Sequence, residues 1–157
     1  MKQLAFSLAL IALFASLSLS QNDSYAYGQP SDLKGLKKIY IDAGPDTKSR
    51  DQIIKDLEKS KLSFEIVDDQ KDAEILLGYG AGSVSRKAVG SVVGSSVIVT
   101  QKTQRTGVGI VVALNARGKD RLVHSFQDVQ QSGWERNPID NYVREFIKVY
   151  KQGNDIK

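Results

Sequence analysis

Residues 91–128, SVVGSSVIVTQKTQRTGVGIVVALNARGKDRLVHSFQD, hold the densest run of strand-forming residues in the chain. Runs of β-branched and aromatic residues are bounded there by Gly, Asn, Arg and Lys, a pattern typical of strands joined by tight turns. The stretch predicts three strands, at Ser96–Thr100, Val108–Leu114 and Leu122–Phe126. Two polar turns, Gln101–Thr106 and Asn115–Asp120, are expected to join them into an up-and-down meander.

The residues before this stretch predict a strand-helix-strand unit. Leu36–Ala43 alternates apolar and polar residues, as a strand with one wet face does, and Leu62–Val67 is a second strand. Between them Thr47–Lys59 has a helical apolar stripe, with Thr47 or Ser49 expected to cap it. A strand, a helix and a strand at this spacing favour a parallel pair. Ala73–Tyr79 is more continuously apolar, as expected near the centre of a sheet.

The segment from Gly80 to Ser96 is rich in Gly and Ser, and we interpret it as a long hairpin connection. The uncharged part from Gly90 to Thr100 has high strand propensity and no proline. Such a segment can also pair with another chain, so a self-assembling protein stays open as an alternative.

The clearest helix follows Asn137, which suits an amino-terminal cap, and Pro138, which suits a first turn. Large apolar residues recur on one face, and Gly153 ends the helix. They are Ile139, Tyr142, Val143, Phe146, Ile147 and Tyr150. A sheet face is the surface that matches such a stripe in size. We therefore predict an α+β fold, a two-layer sandwich with a mixed sheet of about six strands and two helices on one face.

The amino-terminal residues have the three-part layout of a secretory signal peptide: Lys2, an uncharged run to Leu19, and small residues ending at Ser20. We predict a signal peptide at residues 1–20, a flexible linker at 21–34, one α+β domain at 35–153 and a tail at 154–157. No integral membrane span is expected after signal removal, so a periplasmic or secreted location is predicted.

Charge and cysteine content narrow the classes of function. Cysteine is absent, which excludes disulfides and thiolate metal sites. The net charge of +4 is mild, and the basic residues lack interleaved aromatics, so a nucleic-acid partner is not expected. Residues 81–157 hold twelve Lys/Arg against six Asp/Glu, whereas residues 21–80 hold nine against twelve. The carboxyl half is therefore the basic half.

Motifs for cofactors and catalysis fail when they are tested. Gly78-Tyr79-Gly80-Ala81-Gly82 is followed by Ser83 where a dinucleotide-binding fingerprint needs its third glycine. The helix that should begin there is not predicted either. His124 is the single histidine, and in a strand its neighbour Ser125 points to the opposite face. The sequence predicts no cofactor, no metal site and no catalytic residue. Carboxylates in the loops Asp42–Asp46 and Asp68–Asp72 leave a small secreted hydrolase as the alternative.

Five basic residues form a candidate anion-binding or partner-binding site. In a meander, alternate connections share one end of the sheet, so the segment with Arg86 and Lys87 is expected beside the turn with Arg117, Lys119 and Arg121. Clustered cations attract phosphate, lipid headgroups or acidic glycans. An envelope protein or an anionic envelope component is thus the expected partner; the oligomeric state stays open.

The layout resembles small bacterial envelope domains. Asp72–Gly78 before a hairpin, a strand pair with a polar turn, and the run Ser132–Pro138 into a closing helix carry the likeness, which covers Leu36–Gln152. The arrangement is similar to uncharacterised periplasmic proteins and lipoproteins, to the amino-terminal domain of the Tol-system periplasmic protein and to the curli-secretion lipoprotein domain. It lacks the anchoring cysteine of lipoproteins. The resemblance implies binding or assembly in the cell envelope, and the chain is predicted to be a non-enzymatic factor of that kind.

Overall fold

A computed structural model describes residues 25–88, 92–93, 96–97, 100–130 and 136–157; between 84 and 104 only the backbone is described. The predicted signal peptide and the segment Ser132–Glu135 lie outside these residues. The elements are β1 (Ala26–Tyr27), β2 (Lys38–Asp42), α1 (Thr47–Lys59), β3 (Glu65–Ile66), β4 (Ile75–Ala88), β5 (Val92–Val93), β6 (Ser96–Val97), β7 (Thr100–Ala113), β8 (Arg121–Gln130) and α2 (Pro138–Gly153). The main sheet has the order β1-β8-β7-β4-β2-β3, and β5 pairs with β6 separately. The predicted α+β class, with a six-stranded mixed sheet and two helices, is confirmed.

The strand-helix-strand unit forms as predicted. β2 and β3 pair in parallel, with Ile39 opposite Ile66, and α1 connects them. β4 lies on the other side of β2, also in parallel, with Ile39 opposite Ile75. The core side chains of these elements are apolar and almost wholly buried. β4 therefore occupies the central position that its continuous apolar sequence indicated.

The two longest strands differ from the prediction. β4 continues through the glycine-rich segment to Ala88, and β7 is one strand from Thr100 to Ala113, paired antiparallel with β4 throughout. The predicted hairpin connection from Gly80 and the predicted turn Gln101–Thr106 are both wrong where the structure describes them. Glycines along this ladder lie opposite residues with side chains, such as Gly80 opposite Val108, so strand pairing accommodates residues that sequence alone marks as loop.

The carboxyl-terminal helix closes the core, and its predicted bounds are confirmed. The Asn137 side chain accepts a hydrogen bond from the Ile139 N–H, and Gly153 is the last residue of α2. The face toward the sheet buries aromatic and aliphatic side chains, and Phe146 and Tyr142 are fully buried. Val149, absent from the predicted stripe, is buried as well, whereas Ile147 is partly buried. At ~1.5–3 kcal/mol per buried side chain, the six buried apolar residues of this face make a large contribution to the stabilisation of the core.

Glycines in β7 let aromatic rings lie directly on the strand. A Cβ at Gly109 would be 2.5 Å from Cε2 of Tyr142, and a Cβ at Gly107 would be 2.6 Å from the Tyr79 hydroxyl. The Tyr142 hydroxyl donates a 2.7 Å hydrogen bond to the Ile110 carbonyl, and its ring centroid is 5.3 Å from that of Tyr79. Burial raises the pKa of Tyr142, so the hydroxyl remains a donor at any physiological pH.

The segment predicted as a linker is part of the domain from residue 25 onward. β1 pairs in parallel with β8, and Leu33, in a 3-10 helix at Pro30–Leu33, is fully buried in the core. A Cβ at Gly153 would overlap the Pro30 carbonyl, which shows how closely α2 approaches this turn. The linker prediction is therefore wrong for residues 25–34, because one large apolar side chain, Leu33, anchors an otherwise polar segment.

The predicted tail is also tied to the domain. The Asn154 side chain accepts from the Gly35 N–H at 2.8 Å and donates to the Leu33 carbonyl at 3.1 Å. Asp155 forms an exposed ion pair with Lys34. Hydrogen bonds and an exposed ion pair thus join the two ends of the domain.

Replacing Gly109 by Ala is expected to lower the free energy of unfolding by ~2 kcal/mol, because the added methyl overlaps the Tyr142 ring. The matched change is Gly80→Ala, where the nearest atom to the new Cβ is Val108 Cγ2 at 3.4 Å, an ordinary contact. Urea unfolding of both variants measures the difference. Equal effects would show that the ring does not pack on β7 as described.

Candidate binding site at the free edge of strand β4

The candidate site begins where β2 stops. The last residue pair between β2 and β4 is Asp42 opposite Gly78, but β4 continues to Ala88. Among the described residues, no strand pairs with Tyr79–Ala88 on the side that faces away from β7. We refer to this side of Tyr79–Ala88 as the free edge. Gly80, Ala81, Gly82 and Ser83 are all exposed.

The turn after β2 ends the pairing of β2 with β4 and is fixed by its own hydrogen bonds. Asp42 accepts the Gly44 N–H at 3.0 Å, and Gly44 has a φ of 57°, a left-handed conformation that favours glycine. Asp46 then caps α1: its carboxylate accepts from the Ser49 hydroxyl at 2.6 Å and from the Ser49 N–H at 3.1 Å. These bonds lower the pKa of Asp46. The predicted caps, Thr47 and Ser49, are wrong, because a carboxylate one residue earlier reaches the amide and the hydroxyl together.

Two grooves flank the free edge, one on each face of the sheet. The helix-side groove, about 540 Å³, lies between the starts of α1 and α2. The open-side groove, about 680 Å³, lies over the other face of β4 and β7. Both are bounded by Asp46, Tyr79 and Ala81. A segment lying along the free edge would therefore have space for side chains above and below it.

The two grooves differ in polarity. The helix-side groove includes the cations Lys48 and Arg105 together with the Asp46 carboxylate already bonded to Ser49. The open-side groove is lined by Pro45, Val108 and Ile110 among others, and Val108 is 52% exposed. One face of the site is thus polar and basic and the other is mainly apolar.

Tyr79 separates the two grooves, with a side chain that is 7% exposed. Burial, reinforced by the charge of Asp128, raises the pKa of Tyr79 to about 12. The hydroxyl therefore stays neutral at physiological pH and does not serve as a base there.

The predicted convergence of five cations is not found. Arg86 lies opposite Lys102 on the backbone ladder, eleven residue pairs from the Ile75–Ala113 pair that precedes the other turn, or ~36 Å at ~3.3 Å per residue. Arg117 pairs with Asp32 at 3.2 Å, and Arg121 donates to the carbonyls of Ala116 and Tyr27. Lys119 is exposed. Because β4 and β7 are longer than predicted, Arg86 and Lys87 lie at the opposite end of the sheet.

The loop carboxylates of the hydrolase alternative lie apart. Asp42 and Asp46 line the open-side groove and bond to their own turn, whereas Asp69 lines a separate groove of about 390 Å³ near Asn115. Asp68 forms an ion pair with Arg50 at 2.9 Å, and Asp69 accepts from the Lys71 N–H.

The half-buried His124 lies in β8 opposite Val111, as a cross-strand residue. In the described ranges, no three His, Asp or Glu side chains converge as metal ligands, and no helix is long and apolar enough to cross a membrane.

One carboxylate pair escaped the sequence analysis. Asp56 on α1 and Asp140 on α2 lie beside each other and line one groove between the two helices. Burial and this contact with Asp56 raise the pKa of Asp140. Burial also opposes ionisation of Asp56, but hydrogen bonds from Lys59 and Gln52, at 2.7 and 2.8 Å, outweigh it and lower its pKa. Each residue alone looks like part of a solvated helix face, so no sequence signal pairs them.

No protein-family model and no curated protein matches the chain. Among solved structures, it is similar to the uncharacterized lipoprotein B from Nitrosomonas europaea, with 14% identity, 82% of this chain and 81% of that chain covered, and a TM-score of 0.36. It is also similar to a minor lipoprotein from Acinetobacter baumannii, with 12% identity, 76% and 87% covered, and a TM-score of 0.34. Likenesses at this level assign neither a family nor a function, and the resemblance to the Tol-system domain stays a prediction.

Asp140→Asn is expected to stabilise the fold at neutral pH by ~0.5 kcal/mol, a screened like-charge effect. Since the folded state raises the pKa of Asp140, it binds that proton more tightly than the unfolded chain, and stability falls as pH rises through this raised pKa. The gain should therefore vanish in acid. Urea unfolding from pH 3 to pH 8 tests it, with the exposed Asp72→Asn as the charge-matched control. A gain that is equal at all pH values would contradict the pairing.

Proposed function

We propose that this chain is an exported, non-enzymatic binding or assembly factor of the bacterial cell envelope, located in the periplasm or secreted. The signal-like layout of residues 1–20 supports export. The sequence contains no cysteine, so it offers neither a disulfide nor a cysteine for lipid attachment. The resemblance to envelope domains agrees with this location. One structural feature supports a binding role in particular.

That feature is the projecting part of the β4–β7 ladder. Within the described residues, β8 accompanies β7 as far as Arg105, opposite Gln130, and β2 accompanies β4 as far as Gly78. β4 and β7 pair with each other beyond these points, to Ala88 opposite Thr100. We call the described parts of residues 81–106 the arm. A two-stranded ribbon is at best marginally stable in water, and the core residues whose burial is described lie outside the arm in both strands.

The described side chains of the arm, Ala81–Ser83 and Arg105–Thr106, are not among the buried core residues, which leaves them accessible to another molecule. The sequence of the arm is consistent with contact: it holds four basic residues and no Asp or Glu. They are Arg86, Lys87, Lys102 and Arg105. A surface of one charge sign steers oppositely charged partners toward it.

The hydrolase alternative has less support. It needs two carboxyl groups facing one substrate, and the carboxylates of the two candidate loops line different grooves or bond to their own turns. A binding role needs none of this chemistry.

Site-specific cross-linking tests the proposal, since the chain has no cysteine of its own. In Ser83→Cys, a thiol-reactive photo-crosslinker is attached to the new cysteine at the base of the arm. In Lys119→Cys, the same reagent is attached on an exposed turn at the opposite end of the sheet. Both are expressed from the full chain in a Gram-negative host. We expect both proteins in the periplasmic fraction or medium and a specific adduct with an envelope component from Ser83→Cys alone. Cytoplasmic retention, or identical adducts from both positions, would contradict the proposal.

A further inference from the structure

We propose that the free edge of β4 binds an extended polypeptide segment as an added β-strand, and that the segment alternates apolar and acidic residues. This inference rests on the proposed function and specifies its partner. It begins from the backbone: β2 leaves β4 at Gly78, and beyond it the outward N–H and C=O groups of β4 have no strand partner among the described residues. Strand addition satisfies such groups directly.

The free edge lacks the features that usually protect an exposed strand. Proteins blunt such edges with proline, charged residues, bulges or a covering element. The first residues past β2, Tyr79-Gly80-Ala81-Gly82-Ser83, include no proline and no charge, and their register with β7 is unbroken. The small side chains of Gly80–Ser83 leave the backbone of these four exposed residues accessible. The turn Asp42–Asp46 is fixed by its own hydrogen bonds and does not extend the pairing of β2 with β4 beyond Gly78.

The flanking grooves specify the side chains of the added strand. Successive residues of a strand point to opposite faces of the sheet. Residues pointing to the open side would meet Pro45, Val108 and Ile110, which suits apolar side chains. Residues pointing to the helix side would meet Lys48 and Arg105, which suits Asp or Glu. The Asp46 carboxylate on that side is already occupied by Ser49.

Charge also distinguishes the occupant from a second copy of this chain. Pairing two free edges would bring together two arms with four basic residues each and no acidic residue. Like charges on adjacent strands are destabilising, whereas opposite charges stabilise a cross-strand pair. The arm therefore favours a different, acidic polypeptide.

Three synthetic nine-residue peptides test the inference: one alternates Val and Glu, one alternates Val and Lys, and one has the Val/Glu composition in blocks. Binding to the mature protein is measured by fluorescence anisotropy. We expect the alternating Val/Glu peptide to bind at least tenfold more tightly than either other peptide, and Arg105→Glu to weaken it at least fivefold. Equal binding of the alternating and block peptides would overturn the inference, as would equal binding of phosphatidylglycerol vesicles, which would indicate an anionic surface instead.

Proline substitutions test the backbone contribution. Alternate residues of a strand direct their N–H groups to opposite edges, so of Ala81→Pro and Gly82→Pro one removes an outward donor and the other removes a donor to β7. The variant that keeps wild-type thermal stability should lose Val/Glu binding at least tenfold. If that stable variant binds the peptide like wild type, strand addition is wrong. If it also retains the Ser83-labelled envelope adduct, the proposed function stands and this inference alone fails.

Discussion

The structure depends on the contact between α2 and β7, where the Tyr142 ring lies on the bare backbone of Gly109. Its hydroxyl donates to the Ile110 carbonyl, so the ring is positioned both by packing and by a hydrogen bond. This contact places Phe146 and Tyr150 over Phe64, with ring centroids 5.6 and 4.8 Å apart from it. The helix also sets the place of Leu33, because Gly153 allows the Pro30 turn to lie against the end of α2. One helix therefore joins the sheet, the amino-terminal turn and α1.

The same contact defines where the core stops. Among the described side chains of β4, the buried ones end at Tyr79, and Gly80 to Ser83 are exposed. β2 ends at nearly the same level, so burial on the helix face and pairing at the edge of β4 end together. The described core thus lies on one side of this level and the exposed residues Gly80–Ser83 on the other. The basic composition of the arm, without acidic residues, agrees with this division.

Sequence alone predicted the elements whose pattern is strong and local. In α2, large apolar residues recur at i, i+3, i+4 and i+7 on one face, and the helix has a cap and a terminating glycine. α1 has a comparable stripe, and the predicted bounds of both helices agree with the structure. The arm was missed because Gly and Ser weaken every local strand signal, whereas long-range pairing with β7 decides the outcome. Leu33 was missed because a single apolar residue in a polar segment has no period. The Asp56–Asp140 pair and the free edge are both products of tertiary structure, since each requires knowing which elements end beside one another.

Native-state hydrogen exchange tests the division between core and arm most directly. If α2 closes the core and the arm stands outside it, the amides of Val111–Ala113 should exchange by global unfolding alone. Amides of β4 beyond Ser83 should exchange by local opening, with protection at least a hundredfold lower and little dependence on denaturant. Equal protection in both segments, with the same denaturant dependence, would show that the arm is part of the cooperative core and would contradict this account.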